Sequence, residues 1–340
     1  MKAALLKGIN SIEIEDYKLR KLKNDEVLVQ VKSCGICGTD KHIFEGKAPS
    51  KVPVILGHEY SGVVVEKSKS TKFEIGDRVA VDPNIFCGNC IYCRQGKVNF
   101  CSNLQALGVT QNGGFAEYSI VPNSQLHLIP QNMDFCIGAF AEPLSCCIRG
   151  INNSKIKNGE TVVIIGGGTI GLLFVQLVRM SGASKIILIE PVLQKRELGL
   201  KFGADYVLNP KKNNFLEELN EITYNDVNLI LECVGNKETV DLAIKIVTKG
   251  TRIVIFGLAP NDHYIQINLQ HLFHNEVTII NSLLNPFTFQ DAVKLLVSNR
   301  VKVDCLISNK YSLNQLPKII TSNNAQFIKN QIIINYEEAA

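Results

Sequence analysis

The sequence of 340 residues predicts an α/β protein with a β-rich first part and a second part built on a doubly wound parallel sheet. Three observations predict this class. Short β-branched runs separated by turns fill the first part, the rhythm changes near residue 159 to apolar strands alternating with amphipathic helices, and the first such strand ends in a glycine-rich turn. The composition, 46% hydrophobic and 20% charged, is that of a globular chain long enough for two domains.

Short β-branched runs separated by glycine turns fill the first part, from Glu26 to about Pro130, and predict a barrel or sandwich with long loops. After about Ser282 an amphipathic stretch is followed by β-like runs that end with QIIIN. These runs can return to the first domain. We therefore predict a discontinuous domain of residues 1–148 and 284–340 and a second domain of residues 149–283.

The charge pattern and the N-terminus bear on partners and location. The net charge of +4 is mildly basic, and lysine and arginine alternate with acidic residues, which predicts a mixed surface and no nucleic-acid partner. The N-terminal segment lacks the apolar core of a secretory signal, and no apolar run approaches the roughly 20 residues of a membrane helix. We expect a cytoplasmic protein with no membrane partner.

The clustered cysteines have the spacing of a metal site. They form CxxCxxC closed by a fourth cysteine, at Cys87, Cys90, Cys93 and Cys101. Zinc favours four sulfur ligands in closed structural sites, whereas a catalytic zinc keeps one position open. This pattern predicts a structural zinc in a lobe at about residues 84–104, so the chemistry must lie elsewhere.

Two non-enzymatic interpretations of the same lobe are less favoured. In ferredoxin-like runs the fourth cysteine follows after three residues and precedes proline, whereas here seven residues intervene and Ser102 follows Cys101. A nucleic-acid-binding zinc module needs a basic helix nearby, and this segment offers only Arg94 and Lys97.

A dinucleotide site is predicted where the strand VVIIG leads into a long apolar helix. Gly166, Gly168 and Gly171 read GxGxxG at that junction. The first glycine permits the tight turn, the second lets the backbone approach a pyrophosphate, and the third allows close packing of helix on strand. Ile170 within the motif is included among the predicted cofactor contacts.

Glu190 stands nineteen residues after the last glycine of the motif, at the end of the second strand. A carboxylate there accepts bonds from ribose hydroxyls and repels a 2′-phosphate, which favours NAD over NADP. Lys195 is a second candidate contact near that site and, like Arg196, offers a cation for such a phosphate. The predicted cofactor contacts also include Gly257 and Leu258, which follow a later strand.

Six ordered motifs resemble those of zinc-dependent medium-chain dehydrogenases, in the branch with sorbitol (L-iditol), threonine and galactitol-phosphate dehydrogenases. The resemblance covers essentially the whole chain. The motifs are GICGTDKH (35–42), GHEYSG (57–62), the four-cysteine lobe, GGFAEY (113–118), AEPLSC (141–146) and GGGTIG (166–171).

The resemblance implies a catalytic zinc held by Cys37 and His58, with Glu142 at the third-ligand position and Glu59 as an alternative or exchanging ligand. Such a set leaves one coordination position open, as a Lewis-acid zinc requires. With the four-cysteine site this gives two zinc ions per chain. Asp40 matches the residue that orients the metal-bound histidine by accepting its second ring N–H.

The resemblance also implies a GroES-like β-barrel catalytic domain and a Rossmann coenzyme domain. Thr39 and His42 match the family's proton relay, and hydride passes from a secondary alcohol, a polyol or sugar alcohol, to NAD. Relatives form dimers or tetramers, so we expect a homodimer or homotetramer.

The chain departs from the family pattern at its substrate side. Animal-type sorbitol dehydrogenases carry an Arg-Tyr pair where this chain has Leu284 and Asn285, so threonine- and galactitol-phosphate-type activities stay open. The interval from Cys37 to His58 is short and suggests a trimmed loop over the substrate cleft that contains Phe44 and Lys47, with Lys47 facing solvent. A zinc-free quinone reductase of the same superfamily is disfavoured, because those relatives lack the cysteine lobe.

Overall fold

Eighteen strands and eleven α-helices lie within the residues that the computed structural model describes, which are 1–259, 264–322 and 324–334. The strands are β1 (Lys2–Gly8), β2 (Ser11–Asp16), β3 (Glu26–Gly35), β4 (Val54–Ile55), β5 (Glu59–Lys67), β6 (Arg78–Val81), β7 (Asn84–Ile85), β8 (Gln105–Ala106), β9 (Tyr118–Pro122), β10 (Leu126–Leu128), β11 (Thr161–Ile165), β12 (Lys185–Ile189), β13 (Tyr206–Leu208), β14 (Leu229–Glu232), β15 (Arg252–Ile255), β16 (Thr278–Asn281), β17 (Ile307–Ser312) and β18 (Lys329–Ile333). The helices are α1 (Gly38–Phe44), α2 (Ile91–Arg94), α3 (Phe135–Gly138), α4 (Ala141–Ser154), α5 (Thr169–Met180), α6 (Leu193–Phe202), α7 (Phe215–Thr223), α8 (Lys237–Lys245), α9 (Leu269–His274), α10 (Phe289–Val297) and α11 (Leu316–Ile319).

The chain divides into two units. The described residues of 1–145 and 284–340 form the first unit, and residues of 146–283 form the second. In the first unit the main sheet runs in the order β10-β6-β5-β3-β18-β17, with β9 also paired to β3. Strand β18, from the end of the chain, therefore lies beside β3, from its beginning, and pairs with it in antiparallel fashion.

Strand β3 shows why this sheet forms from its sequence. Val27, Val29 and Val31 are fully buried and alternate with the half-buried Leu28 and Gln30, which is the period of a strand with one face in the core. Its last residue, Gly35, lies opposite Glu59 at the start of β5. The segments after β3 and before β5 therefore begin at the same end of the sheet, and they carry Cys37 and His58.

The second unit contains the predicted parallel sheet, in the order β13-β12-β11-β14-β15-β16. Strands β11 and β14 are buried along their length and apolar except for Thr161 and Glu232 at their ends, as expected for a sheet covered on both faces. The strand order reverses between β11 and β14, and dinucleotides bind at this switch point in doubly wound sheets. The α/β class predicted from the sequence is confirmed.

None of the helices in the described residues combines the length and the apolar character needed to cross a membrane. The amphipathic stretch after Ser282 forms α10, in which Phe289, Ala292, Val293 and Leu296 are buried at the spacing of one helix face.

Candidate active site and cofactor site

The four cysteines of the predicted lobe meet around one point. Their sulfur atoms all lie within 4.8 Å of one another, and Sγ of Cys87 lies 4.0 Å from Sγ of Cys93. Zinc–sulfur bonds of about 2.3 Å in a tetrahedron place sulfur atoms about 3.8 Å apart. The cysteines are thiols and form no disulfides. This donor set fits a zinc ion with four sulfur ligands and no open position.

Backbone N–H groups point at these sulfur atoms. The amide of Cys93 donates to Sγ of Cys90, and the amides of Cys87 and Asn103 donate to Sγ of Cys101. The hydrogen bond from Cys93, with a second from Ser102, lowers the pKa of Cys90 to about 6. A lowered pKa favours the thiolate, which is the form that binds metal.

A second group of ligand-type side chains consists of Cys37, His58 and Glu59, whose ligand atoms also lie within 4.8 Å of one another. His58 and Glu59 are buried, and Cys37 is half-buried. Gly35 and Gly57 make room for this group. A Cβ on Gly35 would lie 2.2 Å from Oε2 of Glu59, and Gly57 has a φ of 88°. One thiolate, one imidazole and one carboxylate fit a zinc ion with an open coordination position.

Asp40 ties two members of this group together. It is fully buried on α1, where Oδ2 accepts a hydrogen bond from the amide of Cys37 at 2.8 Å and Oδ1 accepts one from Gly57 at 3.3 Å. Oδ1 also lies 3.3 Å from Nδ1 of His58, although their mutual angle is not that of a hydrogen bond. Burial lowers the pKa of His58, but Asp40 and Cys37 together outweigh that effect and raise it.

Glu59 also forms a buried ion pair with a residue that the sequence analysis missed. Nζ of Lys329, on β18, donates to Oε1 of Glu59 at 2.9 Å, to Oε2 at 2.7 Å and to the carbonyl of Ile36 at 3.2 Å. Both side chains are at most 5% exposed. Burial is the largest single effect and lowers the pKa of Lys329, but Glu59, Cys37 and Asp40 together outweigh it, so the pKa is raised overall.

Replacing Lys329 with methionine should destabilise the metal-free protein by about 3–5 kcal/mol, because the carboxylate of Glu59 would stay buried without a partner. Urea unfolding in the presence of a chelator measures this difference. The double variant Lys329→Met/Glu59→Gln, which removes both charges, should recover most of the loss. In Lys67→Met, which breaks an ion pair to the exposed Glu74, we expect little change. Equal effects of the two lysine variants would contradict the assignment.

The structure places Glu142 at the start of α4 and buries it, with 7% of its surface exposed. Within the described residues, however, Glu142 is not a member of the group in which all ligand atoms lie within 4.8 Å of one another. Its place as third ligand stays a prediction, and the geometry favours Glu59, the alternative ligand, beside Cys37 and His58.

Thr39 and His42 lie on α1 three residues apart, which places both on one face of the helix. Both are half-buried, and Oγ1 of Thr39 lies 3.6 Å from Sγ of Cys37. The prediction of a loop that contains Phe44 and Lys47 is wrong for Phe44. Phe44 is the last residue of α1 and belongs to the hydrophobic core, because burial of its ring is more favourable than exposure to solvent in a loop. Lys47 is exposed, as predicted, and pairs with Glu45 at 2.6 Å.

The glycine motif joins β11 to α5 as its sequence predicts. Gly166 has a φ of 102°, and a Cβ on Gly171 would lie 1.7 Å from the carbonyl oxygen of Gly166. Both positions therefore require glycine. Gly168 is the N-cap of α5, whose first free N–H groups provide an anion site, and Ile170 is half-buried in the first turn.

Glu190 follows β12 and is 5% exposed. Its Oε2 accepts a hydrogen bond from the amide of Gly167 at 2.6 Å, and its Oε1 accepts one from Val192 at 2.8 Å. Lys195 lies nearby and is half-buried. Burial lowers its pKa, and the smaller, opposite effect of the charge on Glu190 does not cancel this. Arg196 donates to the carbonyls of Glu190 and Pro191, so its guanidinium is already engaged.

A cavity of about 670 Å³ extends from the glycine motif along the carboxyl ends of the strands in the second unit. It is lined by Gly166, Glu190, Pro191, Val234, Asn236 and Thr239, among others. Gly257 and Leu258 follow β15. The backbone of Gly257 packs so closely that a Cβ there would lie 2.1 Å from the amide of Gly235, while Leu258 is exposed. This geometry fits a dinucleotide whose phosphates meet the N-terminus of α5.

Comparison with known proteins identifies the family. A model described as "Alcohol dehydrogenase GroES-like domain" matches residues 23–131, and one described as "Zinc-binding dehydrogenase" matches residues 169–298. A sorbitol dehydrogenase of Bacillus subtilis is 32% identical over 93% of this chain and 91% of its own. The chain belongs to the zinc-type alcohol dehydrogenases. Its GroES-like and Rossmann folds and its class as a dehydrogenase, all predicted from the sequence, are thereby confirmed.

Other relatives of this zinc-type alcohol dehydrogenase differ in substrate and cofactor. A D-arabitol-phosphate dehydrogenase of Enterococcus avium is 30% identical over 97% of this chain and 96% of its own. A solved structure described as a zinc-binding dehydrogenase of Sinorhizobium meliloti, bound to NADP, is 38% identical with a TM-score of 0.94 and covers 98% of each chain. The family is therefore shown by several matches that span nearly the whole chain.

The position that carries the Arg-Tyr pair in animal-type sorbitol dehydrogenases has a structural role in this dehydrogenase. Asn285 is 2% exposed, and its amide donates to Oγ of Ser145 at 2.8 Å and accepts from Asn84 at 2.7 Å. Oγ of Ser145 in turn donates to the carbonyl of Glu142 at 2.6 Å. This buried network supports the start of α4, so Asn285 acts there through hydrogen bonds within the protein.

Proposed function

We propose that this protein is a zinc-dependent, NAD-linked dehydrogenase that oxidises a secondary hydroxyl group of an unphosphorylated polyol or sugar alcohol. The observation that carries the proposal is the convergence of Cys37, His58 and Glu59 around one point, with the hydroxyl of Thr39 beside them. A bound zinc would supply Lewis-acid stabilisation of a developing alkoxide. Cys37 and His58 would hold it, with Glu59 or Glu142 as the carboxylate ligand.

Residues around this group have separate tasks in the proposed reaction. Asp40 fixes the backbone of Cys37 and the orientation of His58, so the ligands are held in place before metal or substrate arrives. Thr39 accepts the proton of the substrate hydroxyl at its Oγ1 and passes it toward His42. The imidazole of His42 exchanges that proton with solvent. Hydride passes from the carbon that bears this hydroxyl to the nicotinamide ring of the cofactor.

The lysines around α1 support an unphosphorylated substrate. Lys47 pairs with Glu45 at 2.6 Å, Lys41 donates to the carbonyl of Ser322, and Lys329 is bound to Glu59. Their charges are thus committed to groups of the protein, whereas a substrate phosphate needs cations or N–H groups free to bind it. The curated relatives include both a sorbitol and an arabitol-phosphate dehydrogenase, so this choice rests on the lysines.

The surroundings of Glu190 support NAD as the cofactor. A carboxylate at the end of β12 accepts hydrogen bonds from the ribose hydroxyls, and its charge opposes a 2′-phosphate. Nη1 of Arg196 is engaged by two backbone carbonyls, which limits the guanidinium donors that an NADP site would use. The relative solved with NADP makes this preference a point to test directly.

Replacing Glu190 with alanine should raise KM for NAD by about tenfold and reduce the preference for NAD over NADP, because a charge-assisted hydrogen bond to the ribose is lost. Steady-state kcat/KM with each cofactor measures both effects. Glu197→Ala, at an exposed position on α6, is the matched control and should leave both constants unchanged. A wild-type enzyme that prefers NADP would refute the cofactor assignment.

We also propose that the first unit is the catalytic domain and that the second is the coenzyme domain.

We further propose that the protein is a homodimer formed through β16. That strand is the edge of the parallel sheet, and Ile279 on it is 38% exposed. Leu269 and Phe273 on the preceding helix α9 are more than three-quarters exposed. An open edge beside large apolar side chains suits pairing with a second copy, and the mass in solution tests this.

The reaction is tested with a panel of polyols, their phosphate esters, threonine and simple secondary alcohols, each with NAD and NADP. We expect the highest kcat/KM for an unphosphorylated polyol with NAD. A preference for a phosphate ester or for threonine would overturn the substrate proposal and leave the dehydrogenase class intact. Loss of turnover with a chelator, and its return with zinc, would support the proposed metal dependence.

A further inference from the structure

Glu232 is a buried acid that the proposed reaction does not use. It is the last residue of β14 and has no exposed surface. Its Oε1 accepts hydrogen bonds at 2.9 Å from the amides of Val234 and Gly235, and its Oε2 accepts one from Gly235 at 3.2 Å. Among the described residues its side chain has no ion-pair partner. Backbone amides alone therefore solvate a carboxylate inside the second unit.

The loop that Glu232 holds forms part of the cofactor cavity. Val234 and Asn236 line that cavity, and a Cβ on Gly166 would lie 2.5 Å from Cγ2 of Val234. Gly235 has a φ of 79° and packs against the backbone of Gly257. A Cβ on Gly235 would lie 2.6 Å from the carbonyl carbon of Gly257. The carboxylate thus fixes a loop that touches both the glycine motif and the segment after β15.

The sheet order assigns this loop to one half of the dinucleotide. Glu190, the predicted ribose ligand, follows β12 on one side of β11, and β14 lies on the other side. A dinucleotide that crosses the switch point with its adenosine at Glu190 places its nicotinamide half over β14 and β15. The nicotinamide ring carries a positive charge in NAD and none in NADH, and Glu232 is the buried anion on that side.

We propose that Glu232 biases the cofactor site toward the oxidised form: its buried negative charge favours the cationic ring of NAD over the neutral ring of NADH, while its hydrogen bonds hold the Val234–Asn236 loop. This inference rests on the proposed NAD-linked function. For two unit charges separated by on the order of 10 Å, at an effective dielectric constant near 20, Coulomb's law would change such a ratio of affinities on the order of tenfold.

The test is a pair of binding titrations on the full-length protein and on Glu232→Gln, which removes the charge but keeps Oε1 for the two shortest hydrogen bonds. NADH binding is followed by its fluorescence, undisturbed by tryptophan because the chain has none, and NAD by competition. We expect the ratio of Kd for NAD to Kd for NADH to rise about 3- to 10-fold in the variant. The wild-type ratio in that variant would overturn the proposal, even if both affinities fell together.

Two further variants separate charge from shape. Glu232→Asp keeps the charge and shortens the side chain, so both Kd values should rise while their ratio stays within about twofold of wild type. A ratio shifted as far as in Glu232→Gln would overturn the proposal. Glu221→Gln, exposed on α7, removes one charge from the surface of the same unit and should change neither value. A wild-type protein that binds neither cofactor would instead refute the NAD-linked function itself.

Discussion

His58→Ala should lower kcat by about 10³-fold or more while the protein stays folded. The imidazole is one of the donors in the buried group with Cys37 and Glu59, and the loss of a ligand removes the several kcal/mol of charge stabilisation that a catalytic zinc supplies. Asp40 keeps its hydrogen bonds to the amides of Cys37 and Gly57 in this variant, so the surrounding loops should hold their conformation.

Initial rates on the best polyol of the panel, combined with circular dichroism, measure this effect. His274→Ala, at an exposed histidine on α9, is the matched control and should retain full activity. Undiminished turnover in His58→Ala would refute the assignment of the metal site. Loss of the folded spectrum would show a structural role in its place.

The second large effect is expected for Cys101→Ser. Cys101 is the buried member of the four-cysteine group, and a serine oxygen is a poor replacement for a thiolate zinc ligand. The lobe has few other buried side chains to hold it, since none of the four residues of α2 is buried and only Val98 and Asn99 join Cys101 among the buried residues of 87–101. We expect a loss of about 3 kcal/mol, a fraction of the roughly 10–16 kcal/mol measured for zinc-finger peptides.

In a protein of this size such a loss lowers Tm by roughly 4 °C. Limited proteolysis should show new cleavage within residues 87–101, where the lobe opens. Cys305→Ser, at a half-buried cysteine outside both ligand groups, should leave Tm and the cleavage pattern nearly unchanged. An unaltered Tm in Cys101→Ser would contradict a structural zinc in the lobe.

Local signals in the sequence predicted the fold and part of the site. The glycine motif and the four cysteines are read from spacings of a few residues, because a tight turn or a metal site imposes its chemistry on neighbours in the chain. The groups they predict are present in the structure, with Gly166 at positive φ and Cys87 near Cys93. The α/β class followed from apolar strands alternating with helices.

Some features that depend on distant contacts were not predicted. Lys329 and Glu59 are 270 residues apart, and a lysine at the start of a strand gives no sign of its partner. The one available signal is a charged residue on a strand of otherwise buried character, which requires a partner once the strand is central. Phe44 was placed in a loop because the short interval from Cys37 to His58 was interpreted as a trimmed loop, whereas Phe44 ends α1 and is buried.

The substrate side shows the same limit in a different form. Asn285 aligns with a substrate position of animal-type sorbitol dehydrogenases, yet its side chain is buried in hydrogen bonds to Asn84 and Ser145. Whether a polar residue faces a substrate or the interior is decided by the packing of segments far apart in the sequence. The substrate therefore has to come from the panel of alcohols.

Zinc content per chain tests the central claim most directly. Elemental analysis of the purified protein should give two zinc ions per chain, and one each in His58→Ala and Cys101→Ser, because each variant disables a different site. A wild-type protein with no zinc, or with the same zinc content as both variants, would contradict a dehydrogenase built on one catalytic and one structural zinc.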